Sequence, residues 1–111
     1  MSNSFSDLIS TITLVRGSLY LSANIYQKYF AGLEAVILLE KDGHLFIMPV
    51  RNTAGGGYLL KLKNSDGDRI IDAMDFFRER ARDSFTEETI RVIWDNDMAA
   101  LKAEALFATA N

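Results

Sequence analysis

Arg16–Val50, RGSLYLSANIYQKYFAGLEAVILLEKDGHLFIMPV, is the stretch on which the fold of this 111-residue chain turns. Ser18–Leu21 reads as a short strand, Ala23–Phe30 as a short helix, and Ala35–Glu40 with Leu45–Val50 as the arms of a β-hairpin. Ser22 stands at the N-cap position, where its hydroxyl can accept a free N–H of the first helical turn. The hairpin reverses at Lys41-Asp42-Gly43, since glycine tolerates positive φ and aspartate supports it. A helix of about two turns is unstable alone in water, so Ile25 and Tyr29, with Tyr26 and Phe30, are expected to sit on the hairpin. Ala31-Gly32 ends the helix, with glycine in the left-handed position. The arm AVILLE is almost continuously apolar and reads as a well-buried strand. Pro49 lacks an N–H, which puts it at an edge, a bulge or the strand end.

Outward from this module, residues 1–7 read as a frayed lead-in with Ser4 or Asp7 as a cap, and the β-branched run Ser10–Val15 as a strand. Tyr58–Lys63 alternates, with Tyr58, Leu60 and Leu62 on one side and Leu59, Lys61 and Lys63 on the other, as a half-exposed strand does. Asn64-Ser65-Asp66-Gly67 makes a turn and Arg69–Ile71 a return strand. Asp72 is expected to cap the next helix, which has Asp75 in its first turn and Phe76 and Phe77 on its inner face. From Thr86 onward, Ile90, Ile93, Trp94, Met98, Leu101, Ala105 and Leu106 recur at three- and four-residue steps, and Thr86 with Glu87 and Glu88 resembles a helix start. This spacing predicts a C-terminal helical segment, interrupted by Asp95-Asn96-Asp97 and continued by the alanine-rich tail to Ala108. The expected fold class is α+β: a small β-hairpin-rich domain with short helices and a C-terminal helical segment. Residues 1–111 form one domain, readable as two intertwined halves (8–50 and 58–108) joined by the Gly-rich stretch 51–57.

A hydrophobic share of 49% is ample for a core without disulfides. Cysteine is absent, which removes cysteine nucleophiles, thiolate zinc sites and a disulfide scaffold from consideration. The start, MSNSFSDLISTITLV, has no basic n-region, and no run approaches the roughly 20 apolar residues of a spanning helix. A soluble, cytoplasmic protein with no membrane partner is the expectation. Formal net charge is -3, with four basic against four acidic residues up to position 60 and eight against eleven beyond it. Neither half has the positive excess that drives phosphate binding, so composition disfavours DNA.

Gly17-Ser18-Leu19-Tyr20-Leu21-Ser22-Ala23 is echoed in kind by Gly67-Asp68-Arg69-Ile70-Ile71-Asp72-Ala73. With its basic residue and glycine, short strand, capped helix and hairpin, Arg16–Val50 resembles the looped-hinge, swapped-hairpin modules of the transition-state-regulator and antitoxin superfamily (SpoVT/AbrB-like). A fainter resemblance covers residues 66–80. Ser22 stands where many members of that superfamily have proline. The resemblance implies a small, often dimeric β-rich fold and carries over Arg16 and Arg69 as DNA-facing positions; in that setting Lys61 and Lys63 are expected to join them on one face.

No residue is assigned to catalysis, to a cofactor or to a metal. His44, the only histidine, has no serine-and-carboxylate set at informative spacing. Asp66/Asp68 and Asp95/Asp97 lack the spacing and distal glutamate of a calcium loop and read as turn and helix caps. Gly55–Gly57 leads into a strand and is followed by no Gly-Lys-Ser/Thr sequence, unlike a phosphate loop. Seven large rings, Tyr20, Tyr26, Tyr29, Phe30, Phe76, Phe77 and Trp94, are more than a small core needs, and surplus tyrosine and tryptophan suit interface centres. Tyr20, Tyr26, Tyr29, Phe77 and Trp94 are therefore the candidate partner-binding residues. The expected function is that of a non-enzymatic accessory or assembly protein that pairs with itself and binds another protein. The first alternative is a looped-hinge DNA-binding regulator using Arg16, Lys61, Lys63 and Arg69. The second is a small-ligand binder or enzyme using the glycine loop 55–57.

Overall fold

Arg16 and Gly17 both have positive φ, 54° and 76°, as do Asp42 and Gly43, 56° and 82°. A two-residue type I′ hairpin turn demands this, because its backbone twist matches that of the strands it joins. The first pair joins β1 (Ser10–Val15) to β2 (Ser18–Leu21), and the second joins β3 (Ala35–Lys41) to β4 (His44–Val50). Between the hairpins, Ser22 caps α1 (Ala23–Ile25), its hydroxyl accepting from the Ile25 N–H at 3.2 Å. The helix widens at once into a π-helical turn over Tyr26–Phe30. The Tyr26 hydroxyl donates to the Leu33 carbonyl at 2.9 Å, which ties down the helix exit.

The computed structural model describes residues 10–51 and 55–108. The lead-in expected over 1–7, with Ser4 and Asp7, and positions 52–54 of the Gly-rich stretch lie outside the described residues. Downstream come β5 (Tyr58–Leu59), β6 (Lys61–Leu62), β7 (Arg69–Asp72), α2 (Met74–Arg78), β8 (Glu88–Asp95) and β9 (Ala100–Ala103). The strands follow the order β5-β3-β4-β9-β8-β1-β2-β7-β6, antiparallel throughout.

Two strands turn this sheet into a nearly closed barrel. The first part of β8, Glu88–Val92, pairs with β1, and the rest, Ile93–Asp95, pairs with β9. In the same way β5 pairs with β3 and β6 with β7, while the N–H of the intervening Leu60 donates to the Glu34 carbonyl at 2.8 Å. Strands that switch partners in this way make the corners between sheets. The closure leaves few strand edges open to unwanted pairing. Inside, Leu14, Leu19 and Ile71 lie side by side in register and are all but inaccessible. Burying each contributes about 2 kcal/mol.

Counting Tyr58–Leu62 as one bent strand, the ring order is unchanged when β1 is exchanged with it, β2 with β7, β3 with β8 and β4 with β9. The echoed sequences are β2 and β7 with their flanks, and they pair with each other from Ser18↔Asp72 to Leu21↔Arg69. Each copy's glycine lies against the start of the other copy's helix. A Cβ on Gly17 would come 2.6 Å from the Met74 Cα, and one on Gly67 would come 3.3 Å from the Ala23 Cβ.

The α+β expectation is thereby corrected to a mostly antiparallel β fold with little helix, and the expected C-terminal helical segment is absent from the described residues. Residues 88–95 and 100–103 form a hairpin, and Asp95-Asn96-Asp97 opens its turn instead of interrupting a helix. Ile90 and Val92 point inward while Thr89, Arg91 and Ile93 point outward, the two-residue period of a strand. Asp72 does not cap α2 either. Ala73 holds that position without a side-chain bond, and Asp72 remains in β7.

Candidate functional site

Alternation fixes what the outer face of the barrel shows around β2. Leu19, Leu21 and Ile71 take the inward positions, so Ser18, Tyr20, Ile70 and Asp72 face out. The registers extend this into an outward row, Lys61–Ile70–Tyr20–Thr13–Thr89, that crosses five strands. Beside it, a shallow depression of about 300 Å³ is lined by Val15, Arg16, Ser18, Tyr20, Asp72 and Met74. It shares Val15 and Tyr20 with a second depression of about 320 Å³ that adds Thr13, Lys63 and Glu87. Together they form one open trough.

The charges of this face are held in place by neighbours. Lys61 Nζ lies 2.9 Å from Asp72 Oδ2, and the Ser18 hydroxyl donates to Asp72 Oδ1 at 2.9 Å. The Lys61 ammonium first, and then the Ser18 hydroxyl, hold the Asp72 carboxyl below its ordinary pKa. Asp68 is also lowered, first by the Asn64 amide and then by the Ala23 N–H. Lys63 Nζ stands 4.8 Å from the centroid of the Tyr20 ring, and the Arg16 guanidinium stands 5.1 Å from that of Phe85. The Arg16 N–H also donates to the Ser84 carbonyl at 2.8 Å, which fastens the segment carrying Phe85 to the β1–β2 turn. Phe85 is 78% exposed and Met74 37%.

Of the five candidate partner-binding residues, only Tyr20 belongs to this trough. Tyr26 and Phe77 are buried in the core. Tyr29 and Trp94 stack on each other, 5.4 Å apart and 6° from parallel, half-buried against the core where the π-helical turn meets the β8–β9 hairpin. Of the four candidate DNA-facing residues, Arg16, Lys61 and Lys63 lie around the trough. Arg69 does not join them, because its guanidinium is stacked 3.9 Å above the Tyr26 ring. Sequence reasoning passed over Val15, Met74 and Phe85. For Phe85 a signal existed, a lone ring within the polar run Asp83-Ser84-Phe85-Thr86.

The remaining candidates occupy structural positions. His44 Nδ1 accepts from the Ala105 N–H at 2.8 Å, and Asp95 Oδ1 accepts from the Met98 N–H at 2.9 Å. Gly57 enters β5 close beneath β3, where an added Cβ would come 2.8 Å from the Val36 carbonyl, and no helix N-terminus follows. Burial, followed by the hydrogen bond to Asp75, raises the Tyr58 phenol above its ordinary pKa. Among the described residues no group of three metal-ligating side chains converges, and no helix is long and apolar enough to cross a membrane. Comparison with known proteins gave no match: no family model fits the chain, and no curated protein or solved structure is significantly similar to it.

Proposed function

We propose that the chain is a non-enzymatic accessory or assembly protein that binds a partner protein through the outer face of β1, β2 and β7. The observation that carries this reading is the open trough lined by Val15, Tyr20 and Met74 inside a rim of mixed charge, with the exposed Phe85 beside it against Arg16. Apolar and aromatic side chains surrounded by polar groups are the anatomy of an interface, where the rings supply affinity and the rim supplies orientation. Full-length protein used as bait, alongside a Tyr20→Thr/Phe85→Ser variant and a nuclease-treated control, tests it. One stoichiometric protein should be recovered with the unaltered chain and reduced by at least about thirtyfold with the variant, since the loss of either ring as an interface anchor would suffice for that. Equal recovery with the variant, or recovery abolished by nuclease, rejects the proposal.

The looped-hinge DNA-binding reading keeps one observation in its favour, the grouping of Arg16, Lys61 and Lys63 around the trough. Asp72 and Glu87 share that face and oppose a phosphate backbone. If DNA is the ligand, removing Arg16 should weaken binding and reduce its salt slope by about one.

A further inference from the structure

We infer that the outer face of the sheet β5-β3-β4-β9-β8 is a self-association surface, covered by the same face of a second copy of this chain. The inference is independent of the docking reading, whose trough lies on the other side of the barrel. Val36, Leu38, Leu45, Ile47, Leu101 and Ala103 point into the inner cluster, so their neighbours along each strand point out. One outward row is Leu39–Phe46–Lys102–Ile93, and beside it run Ile37–Met48 and Leu59–Ala35–Val50. Lys102 is the one charge among these nine positions. A strand with water on one side alternates apolar with polar residues, whereas a strand covered on both sides is apolar throughout. The row Lys61–Ile70–Tyr20–Thr13–Thr89 across the barrel mixes both kinds, as a wetted face does. The rows on β3 and β4 do not, which is why AVILLE and LFIMPV are almost unbroken apolar runs.

Ala35, Phe46 and Ala100 are at most 4% exposed although they stand outside the inner cluster, so this face packs among its own side chains. Around them Ile37, Leu39, Met48 and Val50 are half-buried, and at the two flanks Leu59 and Ile93 are 51% and 46% exposed. The helices are committed elsewhere, since Ile25, Tyr26, Phe30, Phe76 and Phe77 all turn into the inner cluster. A second copy suits the face in size, character and charge. Five strands about 4.8 Å apart and three outward rows about 6.8 Å apart span about 24 by 20 Å, which with its rim approaches the roughly 800 Å² per partner of a standard interface. Faces that exchange partners are no more apolar than the rest of a surface, whereas homodimer faces are. A twofold contact opposes a patch to itself, so charge at its centre would repel. Here the centre, Ile37, Met48 and Phe46, is uncharged, and Lys102 has Glu104 3.7 Å away.

Sedimentation equilibrium of the full-length chain between about 1 and 100 μM should return the mass of two chains. Met48→Lys puts a charge at the centre of the face and should raise the dissociation constant at least about a hundredfold. Ile93→Lys, at an exposed flank that accommodates lysine, should raise it about tenfold and carries the test alone if Met48→Lys does not fold. Tyr20→Thr/Phe85→Ser should leave the mass unchanged. The mass of one chain at the highest concentration overturns the inference, as does a dimer indifferent to both lysine variants. A dimer that only Tyr20→Thr/Phe85→Ser dissociates also overturns it and makes the trough the self-contact.

Discussion

The exchange of halves maps two ladders of the barrel onto themselves, β2–β7 and β4–β9, and their outer faces are finished differently. On β4–β9 the outward ring is Phe46, paired with Lys102 and flanked by the inward Leu45 and Ile47. It is only 4% exposed, because Lys102 extends over it, His44 meets it edge-on at 6.4 Å and Leu39 lies opposite on β3. The aliphatic stem of a lysine can shield a ring while its ammonium stays in water. On β2–β7 the outward ring is Tyr20, and it floors an open trough beside the exposed Phe85. Both ladders place a lysine over the outward ring, but Phe46 is enclosed almost completely, whereas Tyr20 beneath Lys63 stays partly accessible. The proposed docking reading draws on this contrast.

The largest effect should come from the turns that frame the two ladders. Alanine at Gly17 must hold a φ of 76° and thrust its methyl against the Met74 backbone, 2.6 Å from the ideal Cβ position. A left-handed alanine costs about 1–2 kcal/mol and an overpacked backbone contact up to about 3 kcal/mol, so Gly17→Ala should lower unfolding free energy by about 4 kcal/mol. Gly43 has a similar φ of 82°, but its nearest neighbour, Ala108, is 3.4 Å away, and Gly43→Ala should cost only about 1 kcal/mol. Urea titration of the two variants measures the difference. Equal costs would mean that the echoed glycines do not lock the β2–β7 ladder.

Next in size are the rings themselves. Phe46→Ala removes a buried side chain and should destabilise the fold by about 3 kcal/mol. Phe85→Ala removes an exposed one and should change stability by less than about 0.5 kcal/mol while reducing partner recovery. A large stability loss from Phe85→Ala would make that ring structural and close the contrast between the two ladders.

What could be read in the sequence was what local chemistry decides. Strands 10–15 and 18–21, the Ser22 cap and the Asp42-Gly43 hairpin all follow from turn residues and β-branched runs, and they stand where those residues put them. Beyond residue 86 the reading failed because the strands there meet distant partners. β8 pairs with β1 and then with β9, so Ile93 turns outward and is 46% exposed, while Trp94 is half-buried by Tyr29. With Ile90, these two residues imitated a helical stripe. The stronger signal was the alternation of Thr89, Arg91 and Ile93 with Ile90, Val92 and Trp94, rich in β-branched residues. The trough was legible only in part, since Tyr20 and the two lysines can be picked out by type. What brings Val15, Met74 and Phe85 beside them is the packing of Gly17 on Met74 and the bond from Arg16 to Ser84, both set by tertiary structure.

The smallest effect tests whether the Lys61–Asp72–Ser18 network stabilises the barrel or only arranges its surface. The Asp72 carboxyl is held below its ordinary pKa, chiefly by Lys61, so folding favours its charged form. Stability from this source is complete above the unfolded-state value and is lost as pH falls through the lower folded value, a window beginning below about pH 4. With Lys61 and Asp72 each about half exposed, at 52% and 51%, screening should limit the contribution to a few tenths of a kcal/mol, about the size of a surface pair. Thermal melts at successive pH values should show a slightly shallower acid limb for Asp72→Asn than for the unaltered chain, and the difference should vanish in high salt. An unchanged limb would assign the network to the surface alone, with Asp72 serving to neutralise Lys61 beside the trough.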